Sequence, residues 1–192
     1  MLDEVILVNE QDEATGTMEK MEAHRKALLH RAFSVFIFNA KGEMLLQQRS
    51  KHKYHSASLW TNACCSHPRP EEEIQQAASR RLEEELGFTT SLRKIFDFVY
   101  KASFDNGLTE FEFDHVFVGN HDGLIHPDKN EVNDYCFKSL EEIQSSLLTH
   151  PAKYSNWFQI AFPRVAAWAK ESAGRMKAEQ ALGLPNRRRR PL

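Results

Sequence analysis

The chain opens on an apolar quartet, Val5-Ile-Leu-Val8, and from there apolar runs alternate with polar punctuation. Residues 5–8 read as a short strand, and a polar turn follows through Gly16. Met18, Met21, Leu28 and Leu29 recur at loosely helical spacing across 18–29. The run 32–38 is rich in aromatic and β-branched residues, and the turn Asn39-Ala-Lys-Gly42 before Met44-Leu-Leu46 predicts a hairpin buried on both faces. Residues 51–58 lack periodicity and predict an exposed loop rich in groups that can hold an anion. Pro70 fits the first turn of a helix over 71–86, with Ile74, Ala77, Ala78 and Leu82 as its apolar stripe and Gly87 as its stop. Strands are predicted near 92–101, 109–119 and 131–137, then helices near 139–148 and 155–174. The pattern is that of an α/β or α+β fold, a mixed β-sheet with flanking helices in a single domain over 1–175, and a flexible basic tail over 176–192.

Composition narrows the setting. The chain has 192 residues, 41% hydrophobic and 27% charged, enough for one sizeable core. No run approaches the roughly 18 apolar residues of a membrane span, so a soluble protein without membrane association is expected. The first residues lack a basic segment followed by a long apolar one, so no secretory signal is expected. Cys64 and Cys65 are neighbours and Cys136 stands alone, which is not a disulfide framework; a reducing cytoplasm is the expected compartment. A net charge of −2 gives no electrostatic reason for nucleic-acid binding. The four arginines at 187–190 read as a solvated tail, with attraction to RNA or a membrane surface as the alternative.

Chemistry concentrates in three places. In the helix over 71–86, Arg80 precedes Glu84 and Arg81 precedes Glu85 by four residues; read alone, these are surface ion pairs worth a few tenths of a kcal/mol each. In Thr109-Glu-Phe-Glu-Phe113, strand alternation puts Glu110 and Glu112 on one face, roughly 7 Å apart along the backbone, within reach of one ion. A half-exposed strand with a polar outer face would look the same. His24, His30 and His67 are candidate nitrogen donors, because imidazole and carboxylate together suit a divalent transition metal, although each histidine read singly is ordinary.

The acidic helix resembles the Nudix box through Arg80, Leu82, Glu84, Glu85, Gly87 and Phe88, with Glu72 at the upstream acidic position. Two positions depart: Arg81 stands where the box has a glutamate, and Ser66 where it opens on glycine. Exchanging a carboxylate for a cation weakens a hydrolytic multi-metal cluster and improves the grip on phosphate. A wider resemblance covers most of the chain. The segments Lys20-Met-Glu-Ala-His24, Leu29-His-Arg-Ala-Phe33, Trp60 to Pro68 with its Cys-Cys-Ser-His-Pro, the altered box, and Glu110-Phe-Glu112 look, in order, like the type 1 isopentenyl-diphosphate Δ-isomerases.

That resemblance implies roles residue by residue. Cys65, rather than Cys64, is the catalytic thiol, and Glu112 the other acid/base group, with Tyr100 bonding beside it. His24, His30, His67, Glu110 and Glu112 surround a divalent ion, Mn²⁺, Mg²⁺ or Zn²⁺. Lys20, Arg49, Lys53 and Arg81 hold the diphosphate, Glu85 attends a Mg²⁺ on it, and Trp157 covers the reacting carbons. The chain departs from the family at 56–58, where Ser-Ala-Ser replaces an aromatic-Pro-Gly turn in the loop that carries Lys53.

Independently of the family name, moving the double bond of isopentenyl diphosphate needs a proton added at C4, a tertiary cation at C3 and a proton lost from C2. That requires two acid/base groups and a dry, aromatic-walled site. Residue types do not order the two groups. A Nudix-type diphosphate hydrolase and a non-catalytic binding scaffold are the alternatives; monomer and homodimer both fit, and the role of Cys64 stays open.

Overall fold

The computed structural model describes residues 3–181. The arginine run at 187–190 and the end of the predicted tail lie outside them. The described chain divides into two compact units, one through Gln159 and one from Ile160 onward.

The first unit is built on a mixed sheet. In chain order it comprises β1 (Glu4–Val8), β2 (Ala14–Glu19), α1 (Lys20–Lys26), β3 (His30–Phe38), β4 (Met44–Arg49), β5 (Trp60–Thr61), β6 (Cys64–Ser66), α2 (Ile74–Leu86), β7 (Arg93–Ser103), β8 (Thr109–Asn120), β9 (Val132–Lys138) and α3 (Leu140–Thr149). The helix α4 (Asn156–Ala181) starts at the end of this unit and continues through the second. The architecture is the predicted α+β arrangement.

The strand β3 organises the sheet. It pairs in parallel with β8 over its whole length, from His30 opposite Glu112 to Phe38 opposite Asn120, and antiparallel with β6 on its other side. On the outer side of β8, β7 pairs antiparallel and sets Tyr100 opposite Glu112. Because side chains alternate across a strand, β3 divides its residues between two layers. Phe33, Val35 and Ile37 enter a core with Ala77, Ala78, Leu82 and Leu86 of α2, while His30, Ala32 and Ser34 face the other way. A fully buried Leu82 or Phe33 is worth about 2 kcal/mol each in apolar area alone.

Predicted boundaries shift in several places, and α4 runs to Ala181, past the predicted end near 174 and into the predicted tail. Residues 18–29 are not one helical stretch: β2 runs through Glu19, α1 covers only Lys20–Lys26, and β3 begins at His30. β2 is an edge strand with four exposed residues at its start, so it carries no apolar alternation to betray it. The acidic helix starts at Ile74, not at 71, because Glu71 holds a left-handed φ of 65° that breaks the helix between Pro70 and Ile74. Its end is as predicted, with Gly87 left-handed at φ 73°. The loop over 51–58 is exposed only in part, since His55 is buried. The hairpin from β3 to β4 joins at Phe38 opposite Met44 alone, and β4 spends its length pairing with β9.

Candidate active site

The site lies on the face of β3 and β8 opposite α2. Its centre is made of imidazoles and carboxylates delivered by separate elements. Glu19 caps α1, its carboxylate accepting from Met21 N and Glu22 N, and fixes the short helix that presents His24. His30 opens β3, His67 follows β6, and Glu110 and Glu112 project from β8.

Hydrogen bonding sets the histidine tautomers. His24 Nδ1 lies 2.7 Å from Lys20 O and His30 Nδ1 lies 2.8 Å from Leu28 O. A carbonyl only accepts, so both rings carry their proton on Nδ1 and aim a bare Nε2 inward. His24 Nε2 is buried with no hydrogen-bond partner. His30 Nε2 and His67 Nε2 face each other at 3.2 Å, and both approach Glu112 Oε1, at 3.6 and 3.0 Å. Donor atoms of His24, His30, His67 and Glu112 all lie within 4.8 Å of one another, as do those of His24, His55 and Glu110. The bare Nε2 atoms of His24 and His30 converge with the Glu112 carboxylate, and these lone pairs repel unless a cation lies among them, so this donor set fits one divalent ion of the borderline type. Burial pushes His24 down and His67 down to about 4, keeping the rings neutral as ligands must be.

Tyr100 ties the carboxylates together, its hydroxyl 2.6 Å from Glu112 Oε2 and 3.1 Å from Glu110 Oε2. Burial and then the neighbouring Glu112 push Glu110 well above the carboxylate range. Burial also acts to raise Glu112, but the adjoining His30 and His67 imidazoles outweigh it and hold that carboxylate well below its usual value.

The two adjacent cysteines go to different layers. Cys64 is fully buried in the α2 core, whereas Cys65, paired across from Ser34, lines a cavity of about 220 Å³ with Tyr100, Glu110, Glu112, His67 and Trp157. Burial raises the Cys65 thiol, with Arg49 opposing, so it is protonated at neutral pH. Trp157 is held by its Nε1–H donating to Asn62 Oδ1 at 3.1 Å, and Asn62 in turn donates to Cys64 O and Val35 O. Arg49 lies 5.0 Å over the Trp157 ring.

Lys20, Arg49, Lys53 and Arg81, the four residues expected to hold the diphosphate, all line the same cavity. Three of them are already engaged by carboxylates. Lys20 pairs with Asp3, Lys53 pairs with Glu131, and Arg81 meets Glu84 at 2.8 Å, Glu85 at 2.7 Å and Glu131 at 3.3 Å. Glu85 stands apart from the histidine group: it is buried, bonded to Arg81 and to Gln47, and outside the cavity lining. Sequence reasoning missed His55, Glu131 and Asn62. His55 lay in an aperiodic loop and Glu131 at the edge of a predicted strand, and nothing in their residue types marked them.

The sheet, the loop connections and the acidic helix define a Nudix protein, and the NUDIX domain family matches residues 28–159. Among solved structures the fold is shared with a Deinococcus radiodurans protein, at a TM-score of 0.65 and 20% identity over 77% of this chain and 90% of that one. It is shared likewise with a MutT protein from Methanosarcina mazei Go1, at a TM-score of 0.61 and 23% identity over 74% and 96%. Closer sequence relatives are the isopentenyl-diphosphate Delta-isomerase of Pectobacterium atrosepticum, 48% identical over 85% of this chain and 92% of that one, and isopentenyl-diphosphate Delta-isomerase 1 of Aromatoleum aromaticum, 48% identical over 92% and 99%. The chain belongs to the isopentenyl-diphosphate Delta-isomerase family of Nudix proteins. None of its described helices is long and apolar enough to cross a membrane.

Proposed function

We propose that this site converts isopentenyl diphosphate to dimethylallyl diphosphate by adding a proton at C4 and removing one from C2. The observation that carries the reading is the placing of Cys65, Tyr100 and Glu112 on one small cavity, beside a histidine cage and behind a rim of cations. Cys65 and Glu112 are the two proton-transfer groups, on strands on either side of β3. Tyr100 donates to Glu112 and orients its carboxyl group. His24, His30, His67, Glu110 and Glu112 would hold the divalent ion, Mn²⁺, Mg²⁺ or Zn²⁺; when bound, it sets the charge of the carboxyl pair. Lys20, Arg49, Lys53 and Arg81 grip the diphosphate and position the carbon skeleton, with Glu85 reserved for a Mg²⁺ that accompanies it. Trp157 walls the carbon end, excludes water and offers a π-face to the C3 cation.

Arg81 argues against hydrolysis. It stands at the box position of a glutamate, so a cation replaces one carboxylate of a hydrolytic metal cluster. The test is NMR of the protein with isopentenyl diphosphate and Mg²⁺ in D₂O, with and without EDTA. Deuterated dimethylallyl diphosphate that disappears with EDTA, with no phosphate released, is the expected result. Phosphate release without rearrangement would move the chain to the hydrolases.

A further inference from the structure

Asn62 is fully buried, lies outside the cavity lining, and has its whole amide in hydrogen bonds. Nδ2 donates to Cys64 O at 2.7 Å and to Val35 O at 3.1 Å. Oδ1 accepts from Thr61 Oγ1 at 2.8 Å and from Trp157 Nε1 at 3.1 Å. These partners fix which way the amide points, because a carbonyl only accepts and an indole N–H only donates. A buried polar group satisfied on every side is rigid.

The partners come from two separate parts of the site. The Cys64 carbonyl belongs to the peptide that leads into Cys65, so Asn62 steadies the strand that carries the thiol. The indole belongs to the residue that walls the carbon end of the cavity. Other bonds already place the two backbones. β6 pairs with β3 through Cys64 and Cys65. The start of α4 is tied to β5 by Ser155 N donating to Trp60 O at 3.0 Å and by Ser155 Oγ donating to Thr61 Oγ1 at 2.8 Å. None of these bonds fixes how the indole is turned about its own side-chain torsions. Arg49, 5.0 Å over the ring, and His55, edge-on at 6.1 Å, make contacts that a rocking ring keeps. Among the described residues only Asn62 meets the indole nitrogen, and a hydrogen bond is directional.

We propose that Asn62 is a positioning residue that sets the tilt of the Trp157 wall against the strand carrying Cys65, and thereby keeps water from the C3 cation. The inference rests on the isomerase reading above. Without Asn62 the indole N–H is left buried and unpaired, and the ring turns to bring it toward the cavity. The gap this opens at the carbon end admits water. After protonation at C4, the water oxygen bonds to C3 and one of its protons leaves to solvent, so the product is a tertiary alcohol at C3 instead of dimethylallyl diphosphate. A merely structural Asn62 would lower activity without changing the product.

The test reads the ring and the product separately in wild type, Asn62→Ala and Asn62→Asp. NMR follows the products of isopentenyl diphosphate, and ¹⁵N-tryptophan spectra follow the indole N–H, with Trp157→Phe assigning its signal among the three tryptophans. Aspartate keeps the oxygen that the indole meets. In Asn62→Ala the Trp157 N–H should exchange with solvent about tenfold faster, as for one lost hydrogen bond. Its kcat should fall about tenfold to a hundredfold, the effect of a wall misplaced by about 1 Å, and the tertiary alcohol should appear beside dimethylallyl diphosphate. KM should change less than about threefold, since the diphosphate cations are untouched. Asn62→Asp should restore the protected N–H and the single product. An unaltered indole signal in Asn62→Ala would overturn the proposal, and so would a freed indole that still gives dimethylallyl diphosphate alone. Persistence of the alcohol in Asn62→Asp beside a protected indole overturns it too. If Asn62→Ala does not fold, Asn62→Ser, whose hydroxyl is too short to reach the indole, takes its place under the same criteria. Wild type that releases phosphate or leaves the substrate unchanged would sink the isomerase reading itself, whereas wild type that isomerises while Asn62→Ala keeps both ring and product sinks this proposal alone.

Discussion

Two neighbouring thiols show how one residue of register decides a role. Cys64 and Cys65 lie on one strand and point into opposite layers, one among Ala77, Leu82 and Leu86, the other into the cavity. Cys65→Ala should abolish turnover while leaving thermal stability nearly unchanged. Cys64→Ala should keep most of the turnover and lose about 1 kcal/mol of stability through the small void it opens. Kinetics and melting of both variants separate the two effects, and equal loss of turnover would remove Cys65 from the chemistry. His24, His30 and His67 could be singled out because they fall in segments that carry the family resemblance. His55 was not, since a histidine in an aperiodic polar loop carries no sign of burial until the chain closes over it.

At the scale of elements, α2 and the turn before it carry both the legible and the hidden parts. Its apolar stripe and its glycine stop could be read from spacing. Its start could not, because the left-handed Glu71 overrides the preference of Pro70 for a first helical turn. Glu71 is exposed, so Glu71→Gly should raise stability by about 1 kcal/mol, measured by urea unfolding, by relieving the left-handed backbone. Glu72 braces the same turn: Arg80 donates to both its oxygens, at 2.7 and 2.9 Å, and Arg69 N donates at 2.9 Å. The Arg80 hydrogen bond holds Glu72 below its ordinary 4.5. A depressed carboxylate adds stability above its unfolded value and loses it as pH falls through its folded one. Glu72→Gln should therefore cost about 0.5–1 kcal/mol at pH 7, a surface-network magnitude, and progressively less as pH drops below 4.5. Arg81→Glu would set a new carboxylate against Glu84, Glu85 and Glu131. It should raise KM for isopentenyl diphosphate by about tenfold or more, and unchanged kinetics would reduce Arg81 to a helix ion-pair partner.

Across the whole molecule, the sheet order could not have been read from the chain. Nothing in the sequence says that residues 30–38 pair in parallel with 112–120 at an offset of 82 positions, yet that pairing sets His30 beside Glu112. The alternation within each strand was visible; which strands would share it was a matter of tertiary closure. Edge strand β2 stayed hidden for a related reason, having almost no apolar face to bury.

The cations at the cavity rim are not bare: Asp3 neutralises Lys20, Glu131 neutralises Lys53, and Arg81 is shared among three carboxylates. Taking up a diphosphate is thus an exchange, in which one set of anionic partners is traded for another. Dissolved salt loosens the outgoing and incoming pairs alike, so the apparent affinity should respond weakly to ionic strength. Raising salt from about 0.05 to 0.5 M should lift KM by less than about threefold. Asp3→Asn, which frees Lys20, should bind substrate more tightly in dilute buffer and lose that advantage steeply as salt is added. A pocket built this way gives up peak affinity for constancy, gripping its substrate about equally well as the surrounding electrolyte changes.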